Sequence, residues 1–82
     1  MTRDELRKVV IDSLVSVAPE ADPAALSPGE SLRESLDLDS MDFLRFVRAL
    51  DAALGVEVPE ADYGKLDSMD GAVAYLAARK GL

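Results

Sequence analysis

The chain has 82 residues, of which 16 are acidic and 9 basic, giving a formal net charge of −7, and it contains no cysteine and no histidine. That length makes one domain, residues 1–82, with a modest core. Disulfides and thiolate metal sites are excluded, and the acidic excess argues against nucleic-acid binding, which needs a basic face.

The same charge disfavours an anionic membrane, and no apolar run nears spanning length. No secretion-signal pattern opens the chain, so a cytoplasmic location is expected. A hydrophobic content of 49% is too high for an acidic disordered tail. The natural complement of this charge is a basic protein partner. Without Cys or His the chain lacks the usual nucleophile and the side chain that titrates nearest neutrality. Any reactive group is therefore expected to be added to it.

Thr2-Arg3-Asp4-Glu5 reads as a capping box, a hydroxyl N-cap with Glu three residues later. Leu6, Val10, Leu14 and Val17 follow at helical spacing, flanked by Val9 and Ser13, which predicts a helix over about residues 3–17. Ile11 and Val15 lie off that stripe, so more than one face is expected to be buried. Pro19 marks the end.

Residues 19–38 form a long connection punctuated by Pro19, Pro23, Pro28 and Gly29. Loops of this length in small domains are functional or hold short structure. Leu26, Leu32, Leu36 and Leu38 are expected to pin it to the core, with one helical turn at Ser31-Leu32-Arg33-Glu34.

Asp39 or Ser40 opens the second helix. Phe43, Phe46, Val47, Leu50 and Leu54 share its inner side. Met41, Leu44, Arg45, Arg48 and Ala52 share the outer one. Gly55 is its C-terminal stop. Val56-Glu57-Val58 alternates like a strand but has no partner strand, so it is read as an extended link. Pro59 suits the first position of a short helix over residues 59–65. Asp67 or Ser68 caps the last helix, about residues 69–80, with Met69, Ala72, Val73 and Leu76 buried. Arg79 and Lys80 complement its negative end. The predicted fold is all-α: a small four-helix bundle of three main helices and one short one, with a long first loop.

With these elements in place, the chain resembles the acyl carrier proteins. The resemblance rests on Asp39-Ser40-Met41 at the second helix, Leu-Gly-Val-Glu-Val-Pro at residues 54–59, and Ala72-Val73-Ala74-Tyr75-Leu76. Their order and spacing match the family pattern without gaps from Ser40 to Leu76, so the likeness covers essentially the whole chain. It implies carriage rather than catalysis. A phosphopantetheinyl transferase would move 4'-phosphopantetheine from coenzyme A onto Ser40, and the arm's thiol would hold acyl groups as thioesters for acyl-loading and acyl-processing enzymes. Asp39 would cap the helix and help steer the transferase. Met41, Asp42, Leu44, Arg45 and Arg48 would form the recognition surface, and the interior between the second and third main helices would shelter an acyl chain. A monomer is expected.

Two departures from the family pattern stand out. Asp37 takes a place where many members have Gly, although Asp also suits turns. Arg45 and Arg48 interrupt a helix face that is often acidic in bacterial fatty-acid carriers. A D-alanyl, aminoacyl or polyketide cargo is therefore an alternative to a fatty-acid one. An unmodified protein that keeps the fold and docks through the same helix is another.

Leu-Asp-Ser-Met-Asp occurs twice, at residues 38–42 and 66–70. Ser68 is read as an ordinary N-cap and Ser40 as the attachment residue. Asp37, Asp39 and Asp42 lack the Gly and bidentate Glu of an EF-hand loop, so they are read as a solvated acidic patch with no metal. Met41 and Leu44 are read as a docking patch beside Ser40. Tyr63 and Tyr75 are expected to line the bundle.

Overall fold

The computed structural model describes residues 1–82 and measures 31 × 25 × 19 Å. It is all-helical. The main helices are α1 (Arg3–Val17), α3 (Ser40–Leu54) and α4 (Met69–Lys80), with a four-residue α2 (Leu32–Ser35) between the first two. Two 3-10 segments, Pro23–Ala25 and Glu60–Leu66, complete the chain.

Each main helix starts where a side chain satisfies first-turn N–H groups that the helix itself leaves unpaired. Thr2 and Glu5 form the expected reciprocal capping box on α1. Asp39 and Asp42 form a second one on α3. Ser68 alone caps α4, its Oγ accepting the Gly71 N–H at 2.9 Å. Asp67, the alternative cap, does different work, described below. Gly55 ends α3 in the left-handed region at φ 65°, as its position in the sequence requires.

α1 packs against both α3 and α4, and α4 packs against the Glu60–Leu66 segment. One continuous cluster of 18 buried apolar residues joins all three main helices, so the molecule has a single core. Phe46, Leu6, Leu14, Leu50 and Leu76 are fully enclosed in it. Leu32 and Leu38 anchor the long connection in the core, while Leu26 and Leu36 pack against its edge. Ile11 and Val15 are half-buried, so α1 does cover more than one face. Val17, expected on the buried stripe, is only half-buried, and Ser13 is buried instead.

Two expectations need correcting. The short helix predicted over residues 59–65 with Pro59 in its first turn is a 3-10 helix over Glu60–Leu66, and Pro59 stands outside it as N-cap with extended backbone. The long connection also holds a 3-10 turn at Pro23–Ala25, capped by Asp22, that the leucine spacing did not reveal.

Candidate functional site

The start of α3 is built by its own carboxylates. The Asp42 N–H donates to Asp39 Oδ1 at 2.8 Å, and the Asp39 N–H faces Asp42 Oδ2 at 3.4 Å. Both negative charges sit at the positive end of the helix dipole, where they are stabilising. Because Asp39 is the cap, Ser40 is the first helical residue, and its side chain is exposed. The N–H groups of Ser40 and Met41 lie in the first turn, where the helix supplies no acceptor. An exposed hydroxyl beside free N–H donors suits a phosphate ester.

The approach to α3 is set by Asp37, whose φ of 53° makes it the one non-glycine residue in the left-handed region. That is the conformation glycine adopts freely, and Asp is among the few other residues that tolerate it. Asp37 therefore holds a turn conformation that glycine would also allow.

A cavity of about 470 Å³ opens beside Ser40. Ser40, Met41, Phe43 and Leu44 form its α3 wall, and Glu60, Tyr63 and Gly64 of the 3-10 helix face them. Arg33 and Asp67 complete its rim. The Asp67 carboxylate accepts from Ser31 Oγ at 2.7 Å and from the Arg33 N–H at 2.9 Å. Its backbone carbonyl accepts the Leu32 N–H at 3.1 Å. α2 is thereby tied to the residue that precedes the α4 cap, and Arg33 is carried to the cavity. Its guanidinium lies over the Phe43 ring, 5.3 Å from the centroid.

Of the predicted surface residues, Met41 is 60% exposed, Arg45 and Arg48 are exposed, and Leu44 and Asp42 are half-buried. Met41 and Leu44 thus join Ser40 in the cavity wall. Arg45 and Arg48 stay on the outer face, where Arg45 lies 3.8 Å from Asp42 Oδ1. Asp37, Asp39 and Asp42 do not converge, and no group of three acidic side chains is arranged to hold a metal ion. Arg33, Glu60, Tyr63 and Asp67 were not singled out from the sequence as site residues. Long-range contacts bring them to Ser40: the Asp67 bonds to Ser31 and Arg33, 36 and 34 residues apart, for the first and last, and the packing of the Glu60–Leu66 segment on α4 for the other two.

A second polar network lies away from Ser40. The Tyr75 hydroxyl donates to Asp62 Oδ2 at 2.7 Å and accepts from Arg79 at 2.9 Å, while Lys65 pairs with Asp62 at 3.3 Å. The Tyr75 hydrogen bond, with help from Lys65 and Arg79, holds the Asp62 carboxyl below its ordinary pKa. Burial, then the facing carboxylate, pushes the Tyr75 phenol up. This network fastens the 3-10 helix to α4 and presents no nucleophile.

A family model described as "Phosphopantetheine attachment site" matches residues 8–76. The chain belongs to the phosphopantetheine-binding acyl carrier proteins. It is 36% identical over 73 residues to the acyl carrier protein of Campylobacter hominis, covering 89% of this chain and 86% of that one. It is 29% identical over 76 residues to the acyl carrier protein of Rubrobacter xylanophilus, covering 93% of each. It is 33% identical to acyl carrier protein 2, mitochondrial, of Arabidopsis thaliana, but spans only 57% of that relative's length. The solution structure of an acyl-carrier-type protein from Anaplasma phagocytophilum has the same fold, with a TM-score of 0.82 over 96% of this chain and 92% of that one, at 24% identity. Acyl carrier proteins are not enzymes. They bear covalently attached 4'-phosphopantetheine, are modified by phosphopantetheinyl transferase, and present cargo to acyl-processing enzymes. The site residues fit that group: an exposed hydroxyl, free N–H donors and a cavity alongside.

Proposed function

We propose that this carrier receives its arm on Ser40 and carries acyl groups as thioesters. In the transfer, the Ser40 oxygen attacks the phosphorus of coenzyme A that bears the pantetheine chain. The pyrophosphate bond breaks, the nucleotide half leaves, and the serine proton passes to the transferase. The observation that carries this reading is the first-turn position of Ser40, exposed and at the mouth of a cavity, with Asp39 doing the capping. Asp39 and Asp42 then flank the ester. Met41, Leu44, Arg45 and Arg48 form the surface that partners read. The interior between α3 and α4 shelters the acyl chain in this reading, as the family resemblance implies. We take the carrier to act as a cytoplasmic monomer.

The exposed Arg45 and Arg48 support a specialised carrier, serving enzymes with acidic docking faces, over one shared with general fatty-acid synthesis. A D-alanyl, aminoacyl or polyketide cargo is the alternative to a fatty-acyl one. Incubation with a phosphopantetheinyl transferase, coenzyme A and Mg²⁺, followed by peptide mapping, tests it. One adduct is expected, on Ser40, and Ser40→Ala is expected to fold normally and stay unmodified. An adduct on Ser68, or none with several transferases, overturns the assignment.

A further inference from the structure

We propose that Arg33 binds the phosphodiester that joins the arm to Ser40 and sets the direction in which the arm leaves. This rests on Ser40 being the attachment residue.

Arg33 is held at both ends of its backbone. Its N–H donates to Asp67 at 2.9 Å and its carbonyl accepts the Leu38 N–H at 2.9 Å. Its side chain is placed as well, because the guanidinium lies over Phe43, one helical turn beyond Ser40. None of the molecule's side-chain hydrogen bonds or ion pairs uses its guanidinium N–H groups, which leaves their fork open toward another acceptor. That fork matches phosphate oxygens and can bind two of them.

The charges around the cavity leave Arg33 little competition. It is the single cation among the lining residues, and the other charged ones are Glu60 and Asp67. Asp67 is engaged with Ser31 and with the Arg33 backbone. Arg33 belongs to none of the molecule's ion pairs, whereas Arg45 is paired with Asp42. A phosphodiester on Ser40 adds a negative charge beside Asp39 and Asp42. Like charges at such spacing repel, and Arg33 is the counter-charge already in place. The phosphate is bonded directly to Ser40, so it lies at the cavity mouth with Arg33. The cargo lies an arm's length farther off, which is why the guanidinium is assigned to the phosphate.

The test compares unmodified and arm-loaded protein for wild type, Arg33→Met, Arg33→Lys and Arg45→Met, with loading verified by mass. Methionine keeps a stem over Phe43 and removes the charge. Loading is expected to leave the wild-type and Arg45→Met melting temperatures level or higher. In Arg33→Met it is expected to lower the melting temperature by about 4 °C, with Arg33→Lys between. The gap should shrink with salt. Independently, the Arg33 Nε–Hε NMR signal of the wild type should shift on loading. The phosphorus resonance should differ between wild type and Arg33→Met. If loading changes the stability of wild type and Arg33→Met equally, or the Arg33 signal does not move, this role is overturned while Ser40 keeps its arm. If no arm attaches to Ser40, the attachment reading falls and this one with it.

Discussion

The pentapeptide Leu-Asp-Ser-Met-Asp starts two helices one residue out of register. In the first copy Asp39 is the cap and Ser40 is inside the helix. In the second Ser68 is the cap, because Asp67 is held by Ser31 and Arg33. One serine is left free and the other is consumed. Ser68→Ala is therefore expected to cost about 0.5–2 kcal/mol, the usual loss for a cap, read as a lowered denaturation midpoint. Loading at Ser40 should be unchanged. Asp67→Ala should cost stability by a different route, releasing α2, so the two losses should add in the double variant if the sites are independent. The roles of Thr2, Asp39 and Gly55 were legible in the sequence because caps and stops act over three or four residues. Those of Asp67 and Arg33 were not. Their partners are more than thirty residues away or depend on how α2 sits against α3.

At the level of elements, the three long helices carry their own signals, periodicity plus caps. The Glu60–Leu66 segment has no side-chain cap and is 3-10, so it depends on what it packs against. Tyr75, Lys65 and Arg79 supply that hold through Asp62. The Asp62 carboxyl titrates below its ordinary 3.8 in the folded protein, chiefly because Tyr75 donates to it. Its stabilising contribution is therefore present above the unfolded-state value and lost as pH falls through the lowered folded value. Asp51 works in the opposite sense. Burial raises its pKa, so its contribution favours folding most at low pH and is lost as pH rises through the raised value. Tyr75→Phe isolates the first effect. The Asp62 carboxyl should then titrate closer to 3.8, and the variant's stability deficit relative to wild type should be largest near neutrality and shrink in acid. Carbon NMR titration of Asp62 and melting curves at both ends of that range check this. A deficit independent of pH would show that the tyrosine matters only by packing. Because this segment also forms the far wall of the cavity beside Ser40, weakening it should broaden the NMR signals of Tyr63 and Gly64 before those of the core.

Seen as a whole, the molecule is an acidic body with a net charge of −7 that places two arginines on the helix face next to Ser40, the proposed attachment residue. Arg45 and Arg48 are one turn apart, exposed, and joined to the rest only by the loose Arg45–Asp42 pair at 3.8 Å. Exposed pairs of that kind contribute little to folding. Rim charges act instead on encounter rate and partner choice, through a field that salt screens within about 10 Å at 0.1 M. Changing both residues, Arg45→Glu with Arg48→Glu, should leave the melting temperature within a degree or two of wild type and leave the Ser40 adduct intact. Loading by the native partner enzyme should slow, on the order of tenfold in kcat/KM at low salt, the lower end of what electrostatic steering supplies. The difference should fade as salt rises. Enzymes that dock acidic carrier helices through basic patches should accept the double variant better than wild type, because the repulsive element has been removed. Acyl-loading kinetics with both sets of enzymes, each at two salt concentrations, separate the possibilities. Opposite changes, both screened by salt, identify the arginines as the selectivity element. Slowing with both sets at every salt points to lost packing at Met41 and Leu44 instead. Equal rates throughout make the arginines solvated surface, and partner choice then has to lie in Met41, Leu44 and the cavity wall.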